Sequence, residues 1–315
     1  MVREDLNIDS WVGHMIKKIL KGLLVLVLCL QAINAFGTDW TDIQAFLIKK
    51  ISPRSSSAMT GSEFAKSVSA MDRSVREQAI LSQIVKGNLP DFLRRLKPVQ
   101  LVETFGEGKT VTATIFVMPD YLAVGSDRDF LLMPMSLFTA TEIAVRLGFI
   151  LPTKKIVDAI FEQSDFHLAP DPMPPGSRMR SVAYFSEHNR VIGKQRVALG
   201  CPLGALISGH KKDVVLTNRL GETIGRIAIY GWHRLSGIPI QPLTIVHGAN
   251  YADYSHGIRL ISNVVLIDGE PRSIYDVLED PKLATILSDE GPIRKVLQLM
   301  GIHHPYPTQP VSTSF

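Results

Sequence analysis

Between Thr110 and Val117 the chain alternates. Val111, Ala113, Ile115 and Val117 take every second position, with Thr110, Thr112 and Thr114 between them. Successive side chains of a strand point to opposite faces, so the segment predicts a strand with one buried face. Such a strand needs partner strands and a covering layer. Further segments with strand character follow: Tyr121–Val124, Val214–Leu216, Arg226–Tyr230, Ile240–Val246, Gly257–Ile261 and Val264–Ile267. Asp268-Gly269 then reads as a hairpin turn.

Upstream of Val99 the spacing is helical. Trp40, Ile43, Phe46 and Leu47 recur at helix period, as do Val75, Ala79, Ile80 and Ile84. Later helices are expected over Thr139–Leu147, with Thr139 as N-cap and Glu142 completing a capping box, and over Pro152–Gln163, Phe185–Ala198, Ser273–Leu278 and Pro292–Met300. A Pro-rich stretch at 169–178 reads as a stiff loop. The expected architecture is α+β, with a helical region over residues 36–98. Residues 99–315 form an α+β domain whose C-terminal half is a mostly antiparallel sheet.

The N-terminus reads as a signal peptide over residues 1–35. Lys17, Lys18 and Lys21 lead into an apolar run to Leu30, and small residues close it at Ala35. Met15 is the start that gives this leader its most compact form. The run falls short of the roughly 20 residues of a membrane span, so no span is expected after cleavage. The expected location is periplasmic or secreted. The leader carries four positive and three negative groups, so of the chain's net +4 a net +3 stays with the remainder. With no basic stripe interleaved with aromatics, nucleic acid is not an expected partner. Of the two cysteines, only Cys201 lies beyond the leader, which leaves no intramolecular disulfide there. Its apolar surroundings suggest a buried structural thiol.

Polar chemistry concentrates in one stretch, His247-Gly-Ala-Asn-Tyr-Ala-Asp253-Tyr-Ser255-His256-Gly-Ile-Arg259. A second knot, Ser208-Gly-His210-Lys-Lys-Asp213, precedes it, and Tyr230-Gly-Trp232-His233 ends a predicted strand. His210, Asp213, His247, Asp253, Ser255 and His256 are the candidate catalytic residues. Imidazoles near carboxylates supply general acid–base catalysis. His210, Asp213, His247 and His256 are also the residue types that hold a divalent metal such as zinc. Trp232, His233, Tyr254 and Arg259 are candidates for substrate binding, with Arg259 suited to clamping a carboxylate. Ser255 and His256 are neighbours on a predicted strand, so they point apart and do not form a dyad.

His247-Gly248 followed by Ser255-His256-Gly257-Ile258-Arg259 resembles the signature of L,D-transpeptidases, which act on peptidoglycan stem peptides. By that likeness His247 and His256 are the site imidazoles and Arg259 the arginine beyond the nucleophile. The family's cysteine has no counterpart here, since Gly257 runs directly into Ile258, and the spacer is shorter. The wider set Gly209–Val215, Tyr230–His233 and Tyr251–Arg259 resembles a family of exported bacterial proteins, a likeness that implies export and no particular activity. The expected function is an exported hydrolase of an envelope polymer, peptidoglycan foremost. The alternative is a non-catalytic envelope or glycan-binding protein, with Trp232, Tyr251 and Tyr254 lining the binding face.

Overall fold

The alternating segment is the second strand of a sheet, as its pattern requires. The structure, a computed structural model, describes residues 40–299; the signal segment and the C-terminal tail lie outside them. Three helices come first: α1 (Trp40–Leu47), α2 (Gly61–Val68) and α3 (Arg73–Val85). Thr60 and Glu63 form a capping box at the start of α2, Thr60 accepting from the Glu63 amide at 3.3 Å and Glu63 from the Thr60 amide at 2.8 Å. Then come β1 (Lys97–Thr104), β2 (Thr110–Val117), β3 (Ala123–Ser126) and β4 (Asp129–Leu132). Next are α4 (Leu137–Leu147), β5 (Phe149–Ile150), α5 (Lys154–Gln163), β6 (Phe166–His167) and α6 (Val182–Ala198). The second half runs β7 (Ile207–Ser208), β8 (Lys212–Val214), α7 (Arg219–Glu222), β9 (Arg226–His233), β10 (Pro239–Gly248) and β11 (His256–Gly257). It closes with β12 (Ile261–Ile267), β13 (Glu270–Ser273), α8 (Ile274–Glu279) and α9 (Val296–Leu299).

The fold is α+β. One sheet has the order β1-β2-β12-β13, with β5 pairing the start of β12, and every pairing in it is antiparallel. The other has the order β10-β9-β8-β11, antiparallel except for the short parallel β8–β11 pair. Leu47 onward forms one compact unit, so α2 and α3 belong to the same body as the sheets. Val111, Ala113, Ile115 and Val117 of β2 are buried.

Several expectations shift. β1 is absent from the sequence reading because Pro98 looks like a stop; as an edge strand it tolerates a proline that cannot donate to a ladder. The α4 cap is Ser136, not Thr139: Glu77 on α3 accepts from the Ser136 amide at 3.0 Å and hydroxyl at 2.9 Å, which fixes the helix start one turn early. Gly257–Ile261 is not one strand. His256–Gly257 pairs with β8 in one sheet, and Ile261 begins β12 in the other. Residues 258–260 are therefore the crossing between the two sheets, tied down by Leu122 N donating to Ile258 O at 2.8 Å and Met118 N to Leu260 O at 3.0 Å.

That crossing is packed too tightly for any side chain at Gly257. A Cβ there would sit 2.5 Å from Tyr121 Cδ1 and 2.8 Å from Lys211 Cβ. Overpacking of a rigid interior costs about 1–3 kcal/mol or more. Gly257→Ala is expected to lower the unfolding free energy by at least about 2 kcal/mol, read as a lower urea midpoint. An unchanged midpoint would show that the two sheets are not held this closely.

Candidate functional site

The residues between the two sheets form a polar interior. Asp120, just past β2, is buried and accepts from Arg196 Nη1 of α6 at 2.6 Å and from His210 Nε2 at 3.0 Å. An ionised carboxylate only accepts, so His210 carries its proton on Nε2. Burial alone would raise the Asp120 carboxyl; His210 and Arg196 outweigh it and hold the group down at about 2. The next residue, Tyr121, donates its hydroxyl to Asp213 Oδ2 at 2.9 Å. Burial pushes Asp213 up to about 6, against the pull of Arg259.

Arg259 has almost no exposed surface. Its Nη1 donates to Met118 O at 2.9 Å and its Nη2 to Ile207 O at 2.7 Å; its guanidinium lies 4.3 Å from the Tyr121 ring centre and its Nε 4.0 Å from Asp213. The expected carboxylate clamp is thus an internal strut, with its donors consumed by backbone carbonyls.

His233 and Trp232 also point inward. Gly231 and Trp232 take positive φ values of 102° and 54°, which breaks the alternation of β9 and leaves both neighbours buried. His233 Nε2 donates to Asp158 at 3.1 Å and stacks on Phe161. Trp232 packs in an aromatic cluster with His188 and Tyr254, and Lys211 Nζ donates to the Tyr254 carbonyl. None of Trp232, His233, Tyr254 and Arg259 lines an exposed binding face, contrary to expectation. Cys201 is half-exposed rather than buried, and burial of its thiol raises its pKa.

The solvent-facing chemistry lies at the other end of the predicted stretch. β10 is an edge strand, so His247 near its end stays partly exposed. Its ring stacks on Tyr251 with centres 4.1 Å apart. Tyr251 OH donates to Asp253 Oδ2 at 3.0 Å. The other Asp253 oxygen accepts from the Ser255 amide at 2.8 Å and hydroxyl at 2.6 Å. Ser255 is therefore buried and bonded to a carboxylate, with no imidazole to draw off its proton. His256 lies behind, its Nε2 3.9 Å from Asp253 and its ring centre 6.5 Å from that of His247. It is buried, and neither of its ring nitrogens has a partner. Burial pushes it down to about 4, and Lys212 and His247 add to the effect. Burial and Lys212 likewise lower His247. For Asp253, burial acts upward, but His256 and the Ser255 donors win and keep it low.

Sequence reading thus joined two groups that the fold keeps separate. His247, Asp253, Ser255 and His256 converge; His210 and Asp213 belong to the Asp120–Tyr121–Arg259 network. The four candidate zinc ligands do not form a set. Among the described residues no group of three or more His, Cys, Asp or Glu is placed to hold a metal ion. Asp120 was missed, because it stands alone in sequence and gains Arg196 and His210 as neighbours only by folding. No family model matches the sequence, and neither a curated protein nor a solved structure does.

The two groups should respond oppositely to removal. Arg259→Leu strips two carbonyls of donors and leaves Asp213 without its cation, and a loss of about 3–5 kcal/mol is expected. His256→Leu breaks no hydrogen bond, so stability at pH 7 should hold or rise. Because the native His256 pKa lies below the unfolded value, unfolding takes up a proton as pH falls from about 6.5 toward 4. Wild type should lose stability across that window. At pH 5 the leucine variant should have lost about 2 kcal/mol less than wild type. Urea melts at both pH values measure this; equal losses would refute the buried, neutral imidazole.

Proposed function

We propose that this protein is an exported hydrolase acting on a cell-envelope polymer, with peptidoglycan as the substrate class. The observation that carries the reading is His247, an imidazole that meets solvent, is held neutral at neutral pH, and is braced from behind by Tyr251 and Asp253. A neutral imidazole at a surface takes a proton from water and later gives it to the leaving group. Tyr251 orients that ring by stacking, and Asp253 fixes Tyr251. His256 is a buried neutral imidazole whose free nitrogens cost stability without a structural return. Unpartnered polar groups of this kind cluster at functional sites. No step is assigned to Ser255, His210 or Asp213, whose hydrogen bonds are internal. Nor is any step routed through a metal, since the candidate ligands do not converge. Export rests on the signal pattern of residues 1–35. Among the described residues, no helix is long and apolar enough to cross a membrane.

The binding alternative loses its expected face, because Trp232 and Tyr254 are interior. Only the His247–Tyr251 stack remains as a platform for a sugar ring. Purified sacculi incubated with the protein should release soluble fragments, and His247→Ala should slow release about 100-fold or more, the usual share of a general base. Tyr251→Phe, which keeps the stack but frees Asp253, should slow it less. Release by His247→Ala at the wild-type rate would overturn the reading. Sedimentation with sacculi and no release by wild type would replace it with the binding one.

A further inference from the structure

A second surface feature lies on the chain beside the His247–Tyr251 patch and is not explained by it. A cavity of about 280 Å³ is lined by Arg73, Arg76, Arg180, Ser177, Ser181 and Asn250, with Ala252 at its wall. Asn250 and Ala252 flank Tyr251, and the charge of Arg180 acts on the Tyr251 hydroxyl. No carboxylate lines the cavity. Among the described residues, none of the three arginines has an acidic partner within 4.0 Å, whereas Arg94, Arg146, Arg178 and Arg196 each do. Glu77, next to Arg76 on α3, is occupied at Ser136, where it caps α4.

Arg76 is the most informative of the three. It is only 8% exposed, and its Nε has no hydrogen-bond partner. Its guanidinium is held in place 5.5 Å from the Phe185 ring centre. Burying a cation with an unmet donor is costly, and although Glu77 favours the charge, Arg73 and Arg180 oppose it. Arg73 and Arg180 are exposed and have the reach to swing away, yet they share the cavity with Arg76. The Ser181 end of α6, a 17-residue helix, adds the partial positive charge of its N-terminus.

We propose that this cavity binds a phosphoryl group. Three planar guanidiniums offer paired N–H donors that match the several oxygens of a tetrahedral oxyanion, and the Ser177 hydroxyl and Asn250 amide add donors at the wall, the Ser181 hydroxyl being spent on Arg178 O. A single carboxylate would satisfy one fork and leave two cations unneutralised. The phosphoryl group enters as a free small anion or as part of a phosphodiester polymer, and bound here it sits beside Tyr251 and thus next to His247. The assignment does not depend on the hydrolase reading, since binding is measured without turnover.

Calorimetric titration of the purified full chain at constant ionic strength tests it, with inorganic phosphate, glycerol phosphate and acetate as probes. Phosphate or glycerol phosphate should bind at least tenfold more tightly than acetate. Tighter binding of inorganic phosphate identifies the free anion as the source; tighter binding of glycerol phosphate identifies the polymer unit. Arg180→Ala, an exposed change that should leave the fold intact, is expected to weaken binding at least tenfold, and Arg76→Leu to abolish it. Arg190→Ala, an exposed arginine outside the cavity, should leave binding unchanged. The proposal falls if acetate binds as tightly as phosphate, if no probe binds, or if Arg180→Ala binds phosphate like wild type.

Discussion

The two sheets of this protein meet at a buried arginine. Arg259 lies on the three-residue crossing between β11 and β12, and its guanidinium holds carbonyls at Met118 and Ile207 while facing Asp213 and Tyr121. Burying a guanidinium is tolerable only when its donors are met, and here two backbone acceptors, a carboxylate and an aromatic face meet them together. The arrangement accounts for nearby features. Gly257 has no room for a side chain because the crossing is drawn against Tyr121. Asp213 keeps a high pKa because burial outweighs a cation 4.0 Å away. Asp120, one residue before Tyr121, takes up the remaining charge through Arg196 and His210.

That network divides the polar residues into two classes with different physics. In the interior, Asp120, Tyr121, Asp213 and Arg259 are bound to one another and to backbone carbonyls and hold loops at fixed separation, although Arg196 Nη2, His210 Nδ1 and Trp232 Nε1 have no partner. Toward the edge of the second sheet other groups are unmatched. His256 keeps two free nitrogens, His247 meets solvent, and beside Tyr251 in space three arginines share a cavity with no acid. Each unmatched group lowers stability, and groups of this kind persist where something outside the chain completes them. The hydrolase reading and the phosphoryl cavity rest on separate residues, His247 with Tyr251 and Asp253 for the one and the three arginines for the other.

Much of the fold was legible in sequence, and the reason is periodicity. β2, α3, α4, α5, α6 and β12 have apolar patterns long enough to set their type locally. What was not legible depended on partners far away in the chain. The start of α4 is set by Glu77, 59 residues upstream of Ser136. β1 shows through its proline only once its edge position is known. The β11–β12 break within an apparently continuous strand reflects two different sheets competing for it.

The same division holds for the site. The sequence by itself determined that imidazoles, carboxylates and a serine would gather over His247–Arg259, because residues so close in the chain cannot separate far. It also determined that Ser255 and His256 would not pair with each other. Only the tertiary structure decided which of these groups face water. Strand alternation tells which side of a sheet a residue occupies, but whether that side is interior depends on what packs over it. Arg259, His210 and Trp232 were covered by a second sheet and α6. His247 escaped cover because β10 has no neighbour beyond it, and Arg73, Arg76 and Arg180 met in one cavity because α3 and the start of α6 fold onto the loop that carries Tyr251.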